Sequence, residues 1–74
     1  MGNIKSLSGK KLISILLSID FTVIRVKGSH HFLKHDDGRI TVVPVHKNEN
    51  IGIGLMQKIL KDIEMNKSDF EKLF

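Results

Sequence analysis

Asp37-Gly38 stands between two runs of strand-forming residues, His30 to His35 and Arg39 to Val45. No other dipeptide in the chain restricts its fold as sharply, because Asp-Gly supplies the positive backbone angles that a tight hairpin needs. The two runs are therefore read as antiparallel neighbours. Upstream, Phe21 to Lys27 is rich in β-branched residues and runs into Lys27-Gly28-Ser29, a second turn, so a first strand joins the same meander. Simple alternation puts Thr22, Ile24 and Val26 on one face of this strand and Phe21, Val23, Arg25 and Lys27 on the other. Pro44 lacks a ladder donor, which sets the third strand at a sheet edge or on its way out of the sheet.

A three-stranded sheet is unstable with both faces in water, and the flanking segments supply the cover. Ser8 suits an N-cap, and Leu12, Ile15, Leu16 and Ile19 then recur at three- and four-residue spacing, predicting a helix over about 8–19. Gly52 and Gly54 precede Leu55, Ile59, Leu60 and Ile63, which predict a second helix over about 54–64. Ser68-Asp69-Phe70-Glu71 matches a capping box and starts a last short helix reaching Leu73. The predicted fold class is α+β: a two-layer α-β-β-β-α arrangement with a short extra C-terminal helix, helices over one sheet face and the other face open. A chain of 74 residues with no repeat or linker is read as a single domain over 1–74.

Composition narrows the function classes. Without cysteine, neither disulfides nor thiolate zinc sites are available. The longest apolar runs, Leu12-Ile13 and Ile15-Leu16-Leu17, fall far short of the roughly 20 residues of a membrane span, and no secretory core opens the chain. The expectation is a cytoplasmic protein with no membrane partner. Charge is uneven: residues 1–35 carry six basic and one acidic side chain, net +5, whereas residues 36–74 carry six basic and seven acidic, net −1. A basic excess gathered in one part of a small chain points to an anionic partner, nucleic acid above all.

Arg25-Val26-Lys27-Gly28-Ser29-His30-His31 concentrates two cations, a turn, a hydroxyl and two imidazoles. The segment also reads as a plain polar hairpin. A metal site does not follow from it. His30 and His31 point to opposite faces, and His31 and His35 share a face but stand roughly 13 Å apart along a strand. A Ser-His-acid triad lacks its acid. An imidazole titrating at about 6.5 among cations suits RNA cleavage, where the 2′-hydroxyl is an internal nucleophile. The protein has only to move its proton and stabilise the phosphoryl charge, with no metal or cofactor required. Gly52-Ile53-Gly54 is too short a glycine motif to indicate a phosphate loop and is read as shaping the helix start.

Ser8-Gly9-Lys10 at the first helix, Lys27-Gly28-Ser29-His30-His31 after a strand, Asp37-Gly38-Arg39 at the hairpin and Thr41-Val42-Val43-Pro44-Val45-His46 closing the third strand resemble the HicA family of bacterial toxins, in order and spacing over about residues 7–65. The resemblance implies a double-stranded-RNA-binding-domain-like fold and an mRNA interferase, an endoribonuclease neutralised by a HicB-type antitoxin. It also implies that the histidine after the Gly-Ser turn, His30, is catalytic, with His31 as the neighbouring alternative. Gly28 and Ser29 would set the turn, and Lys10, Lys11, Arg25 and Lys27 would contact the phosphates of mRNA. The chain departs from the family at Ile53-Gly54-Leu55, where a Pro-Gly-Thr-like sequence is frequent, and Asp62 and Glu64 thin the basic face around Lys58 and Lys61. A non-catalytic RNA-binding module and a protein-interaction module of the same fold are the alternative readings.

Overall fold

A computed structural model describes residues 7–74. The elements run α1 (Gly9–Ser18), β1 (Phe21–Lys27), β2 (His30–His35), β3 (Ile40–Pro44), α2 (Ile53–Asp62) and α3 (Lys67–Glu71). The strands form one antiparallel sheet in the order β1-β2-β3, so both β1 and β3 are edges and Pro44 sits where its missing N–H costs no ladder bond. This is the expected α+β architecture and the double-stranded-RNA-binding-domain-like order.

Ser8 caps α1, its Oγ accepting the Lys11 N–H at 3.1 Å. Leu12, Ile15 and Leu16 of α1 and Met56, Ile59 and Leu60 of α2 cover the sheet face that carries Phe21, Leu33 and Val43. Burying each such side chain contributes roughly 1.5–3 kcal/mol, which is why so small a core depends on nearly every one. Gly9 permits a close approach between the layers. A Cβ there would collide with the Pro44 carbonyl, so the start of α1 lies directly on the end of β3.

The hairpin at Asp37-Gly38 has a three-residue loop, 36–38, between His35 and Arg39, with Gly38 at a φ of 101°. The chain turns at Gly28-Ser29 in only two residues, Lys27 pairing with His30 and Gly28 at a φ of 58°, the pattern of a II′ turn. The capping box expected at Ser68 is not used. Asn66 caps α3 instead, its Oδ1 accepting the Asp69 N–H at 2.7 Å, so the helix begins before Ser68 and delivers Phe70 into the core. The physical reason is that Asn66, with one residue between it and the turn closing α2, already offers an acceptor three residues ahead of Asp69.

Candidate nucleic-acid interface

The first strand is not regular. Val23 pairs with Leu33, but the next pair is Arg25 with Phe32, so Ile24 is an extra residue and β1 is bulged there. One extra residue inverts the alternation beyond it. Arg25 and Lys27 therefore leave the face of Phe21 and Val23, where alternation places them, and join the open face, while Val26 falls on the helix-side face opposite His31. The Arg25 guanidinium lies 5.8 Å from the Phe32 ring, which belongs to the open face.

On that open face Lys27 stands opposite His30, and His30 stands opposite Pro44 on its other side. Such cross-strand pairs hold their Cβ atoms about 4.5–5.5 Å apart, so the imidazole and the ammonium stem are immediate neighbours. Lys34 continues the row, and Arg25, Lys27, His30 and Lys34 are all exposed.

His31 faces the other way and is half-buried. Its Nδ1 lies 3.2 Å from the Ser29 carbonyl, which can only accept, so the bond requires the proton on Nδ1. The same carbonyl accepts the Val45 N–H at 2.8 Å. Ser29 thus ties β3 and the His31 ring to one point of the turn. Lys10 and Lys11 are exposed on the first turn of α1 and reach the same end of the molecule through the approach of Gly9 to Pro44. The expected site residues gather at one end but divide between the two faces of the sheet: Arg25, Lys27 and His30 on the open side, His31, Lys10 and Lys11 on the helix side.

Topology adds a field to these charges. Both α1 and α2 begin at the end of the sheet that carries the Gly28-Ser29 turn, and both finish at the end that carries the 36–38 loop. The positive poles of the two helix dipoles therefore reinforce Lys10, Lys11, Lys27 and Lys47. The opposite end collects Asp20, Asp36, Asp37, Asp62 and Glu64. At the basic end a cleft of about 250 Å³ opens between Pro44, His46, Asn50 and the start of α2. His46, two residues beyond the Pro44 that pairs with His30, stands at this cleft.

Among the described residues no group of three or more His, Cys, Asp or Glu is placed to hold a metal ion, and no helix is long and apolar enough to cross a membrane. Asp37-Gly38-Arg39, part of the motif that carries the resemblance, has a structural task. The Arg39 Nε donates to both Asp37 carboxylate oxygens, its Nη1 donates to the Ile63 carbonyl at 2.6 Å, and its guanidinium lies 5.1 Å from the Phe21 ring.

A family model described as the HicA toxin of bacterial toxin-antitoxin matches residues 9–65. The chain belongs to the HicA toxin family. Curated proteins give no match. The HicA match opens at Gly9, the residue that closes on Pro44, and ends at Met65, just short of α3. All of the open-face cations, the Gly28-Ser29 turn and the three histidines at its end lie inside it. Membership in a toxin–antitoxin family carries a kind of partner with it, an antitoxin.

Proposed function

We propose that this HicA protein is an mRNA interferase, a cytoplasmic endoribonuclease that His30 serves as general base and that a HicB-type antitoxin neutralises. The observation that carries the reading is the bulge at Ile24, which sets Arg25 and Lys27 on the open face beside His30. His30 takes the proton of a 2′-hydroxyl, the 2′-oxygen attacks the adjacent phosphorus, and Lys27 and Arg25 stabilise the charge that grows on the phosphoryl oxygens. Gly28 and Ser29 hold the turn that presents the imidazole. Lys10 and Lys11 engage phosphates further along the strand. The nucleophile is part of the substrate, so the chemistry calls for neither a metal nor a cofactor.

His31 is the alternative base, and its geometry favours a supporting task. Its Nδ1 is committed to the Ser29 carbonyl and its ring lies on the helix side. The deciding experiment incubates the purified protein with a labelled transcript in EDTA, alongside His30→Ala and His31→Ala. Fragments are expected from the parent and from His31→Ala, with His30→Ala slower by roughly 10²–10⁴-fold while remaining folded. An inactive His31→Ala beside an active His30→Ala moves the role to the neighbouring ring. A transcript bound but left intact by the parent supports the non-catalytic RNA-binding module, and one neither bound nor cut supports the protein-interaction module.

A further inference from the structure

Cleavage as described leaves one proton without a source. When the 2′-oxygen bonds to phosphorus, the bond to the 5′-oxygen breaks, and that alkoxide departs readily only if it is protonated as it leaves. Resting on the ribonuclease reading, we infer that His46 is the general acid that supplies this proton. His30 removes the 2′-proton, the imidazolium of His46 delivers one to the 5′-oxygen, and the products are a 2′,3′-cyclic phosphate and a free 5′-hydroxyl. Charge and protons then balance between the two rings, with no further reactant.

The strand register brings His46 to the place. His30 pairs with Pro44, and the ladder runs one step further, through the 2.8 Å bond from the Val45 N–H to the Ser29 carbonyl. Pro44, the partner of His30, ends β3, and two residues on His46 lines the same cleft as Pro44. Across an antiparallel pair, a residue two positions beyond a directly paired one stands about 7–8 Å away. A phosphodiester hydrogen-bonded on both flanks fills a gap of that order. His46 is exposed and lines the cleft with Pro44, Glu49 and Asn50 at the start of α2, leaving room for the departing nucleotide.

Elimination reaches the same residue. The chain has four histidines. His31 is bonded to the Ser29 carbonyl on the helix side, and His35 is held by Asp37 at the far end of the sheet. A lysine ammonium ordinarily titrates at about 10.4, too weak an acid to match an imidazole at neutral pH.

The test compares ordinary RNA with RNA carrying a bridging sulfur in place of the scissile 5′-oxygen, because a thiolate leaves without a proton. Parent, His46→Ala and His30→Ala are assayed on both, after circular dichroism has shown each to be folded. On ordinary RNA His46→Ala is expected to be slower by roughly 10²–10⁴-fold, and on the sulfur substrate to come within about tenfold of the parent. His30→Ala stays slow on both, and the high-pH limb of the parent's rate profile disappears in His46→Ala. The assignment is overturned if His46→Ala cuts ordinary RNA as fast as the parent, or remains slow on the sulfur substrate. In either case the parent's own cleavage leaves the ribonuclease reading standing. A parent that cuts neither substrate overturns both.

Discussion

Arg39 meets three partners of different chemistry: the Asp37 carboxylate, the Ile63 carbonyl at the end of α2 and the Phe21 ring. The hydrogen bond from Arg39 holds the Asp37 carboxyl below its usual value of 3.8. Because the folded value lies under the unfolded one, the pair stabilises the fold at neutral pH and loses that contribution as pH falls through the folded value. Asp37→Asn is therefore expected to be less stable than the parent at neutral pH and to converge on it once the pH has fallen below the folded value, by urea unfolding at each pH. The gap is small, since the carboxylate is solvated and screened. A gap that widens in acid contradicts the sign. Two glycines respond to alanine for different reasons. At Gly28 space is open but φ is 58°, so Gly28→Ala costs about 1–2 kcal/mol of backbone strain. At Gly9 the added methyl meets the Pro44 carbonyl, and relieving that clash costs roughly 1–3 kcal/mol. Thermal melts should show both losses, and amide shifts at Val45 should move strongly only in Gly9→Ala.

The elements divide by how local their cause is. Ser8, the apolar spacing of both long helices, Gly28-Ser29 and Asp37-Gly38 act within a few residues, and the structure forms the expected helices and strands around them. Helix boundaries shift by one or two residues, as Gly9–Ser18 and Ile53–Asp62 against about 8–19 and 54–64 show. The bulge has a non-local cause. Nothing in Phe21 to Lys27 marks Ile24 as surplus; it becomes so because Leu33 and Phe32 of β2 fix which neighbours can pair. That Ile24 bulges out instead of pairing in line decides whether Arg25 and Lys27 accompany His30, so the composition of the candidate site was legible in the sequence and its geometry was not. Deleting Ile24 removes only the extra residue and leaves both cations facing outward, so the deletion variant is expected to retain RNA binding within a few-fold. A deletion that abolishes binding while the fold persists argues against the open face. The same distinction explains α3. Its cap at Asn66 competes with an equally good motif at Ser68, and tertiary docking of Phe70, fully buried, decides between them. Phe70→Ala should cost about 3–5 kcal/mol, a large share of the stability of any domain this small, measured by urea unfolding.

At the scale of the molecule, the charge asymmetry of the sequence becomes a direction in space. Parallel placement of the two helix starts beside the Gly28-Ser29 turn superposes helix dipoles and lysines, while Asp20, Asp36, Asp37, Asp62 and Glu64 gather around the 36–38 loop and the ends of α1 and α2. An RNA strand approaching such a body is oriented before it makes a contact, and its affinity must then depend on salt in proportion to the phosphates it engages. Binding of an uncleavable 2′-O-methyl RNA, followed by anisotropy over a range of salt concentrations, measures that number. Arg25→Ala and Lys27→Ala are each expected to lower the slope of log affinity against log salt by about 0.7, the value for one phosphate of a single strand. Lys58→Ala is the control, because Lys58 is paired with Asp62 on α2, away from the open face, and its loss should leave the slope unchanged. Equal slopes in all three variants would mean that the open face does not carry the strand. A slope that falls for Lys10→Ala and Lys11→Ala but not for Arg25→Ala would route it along the start of α1 instead. That route keeps the strand at the basic end while moving the phosphates to the helix side, where His31 rather than His30 meets the substrate.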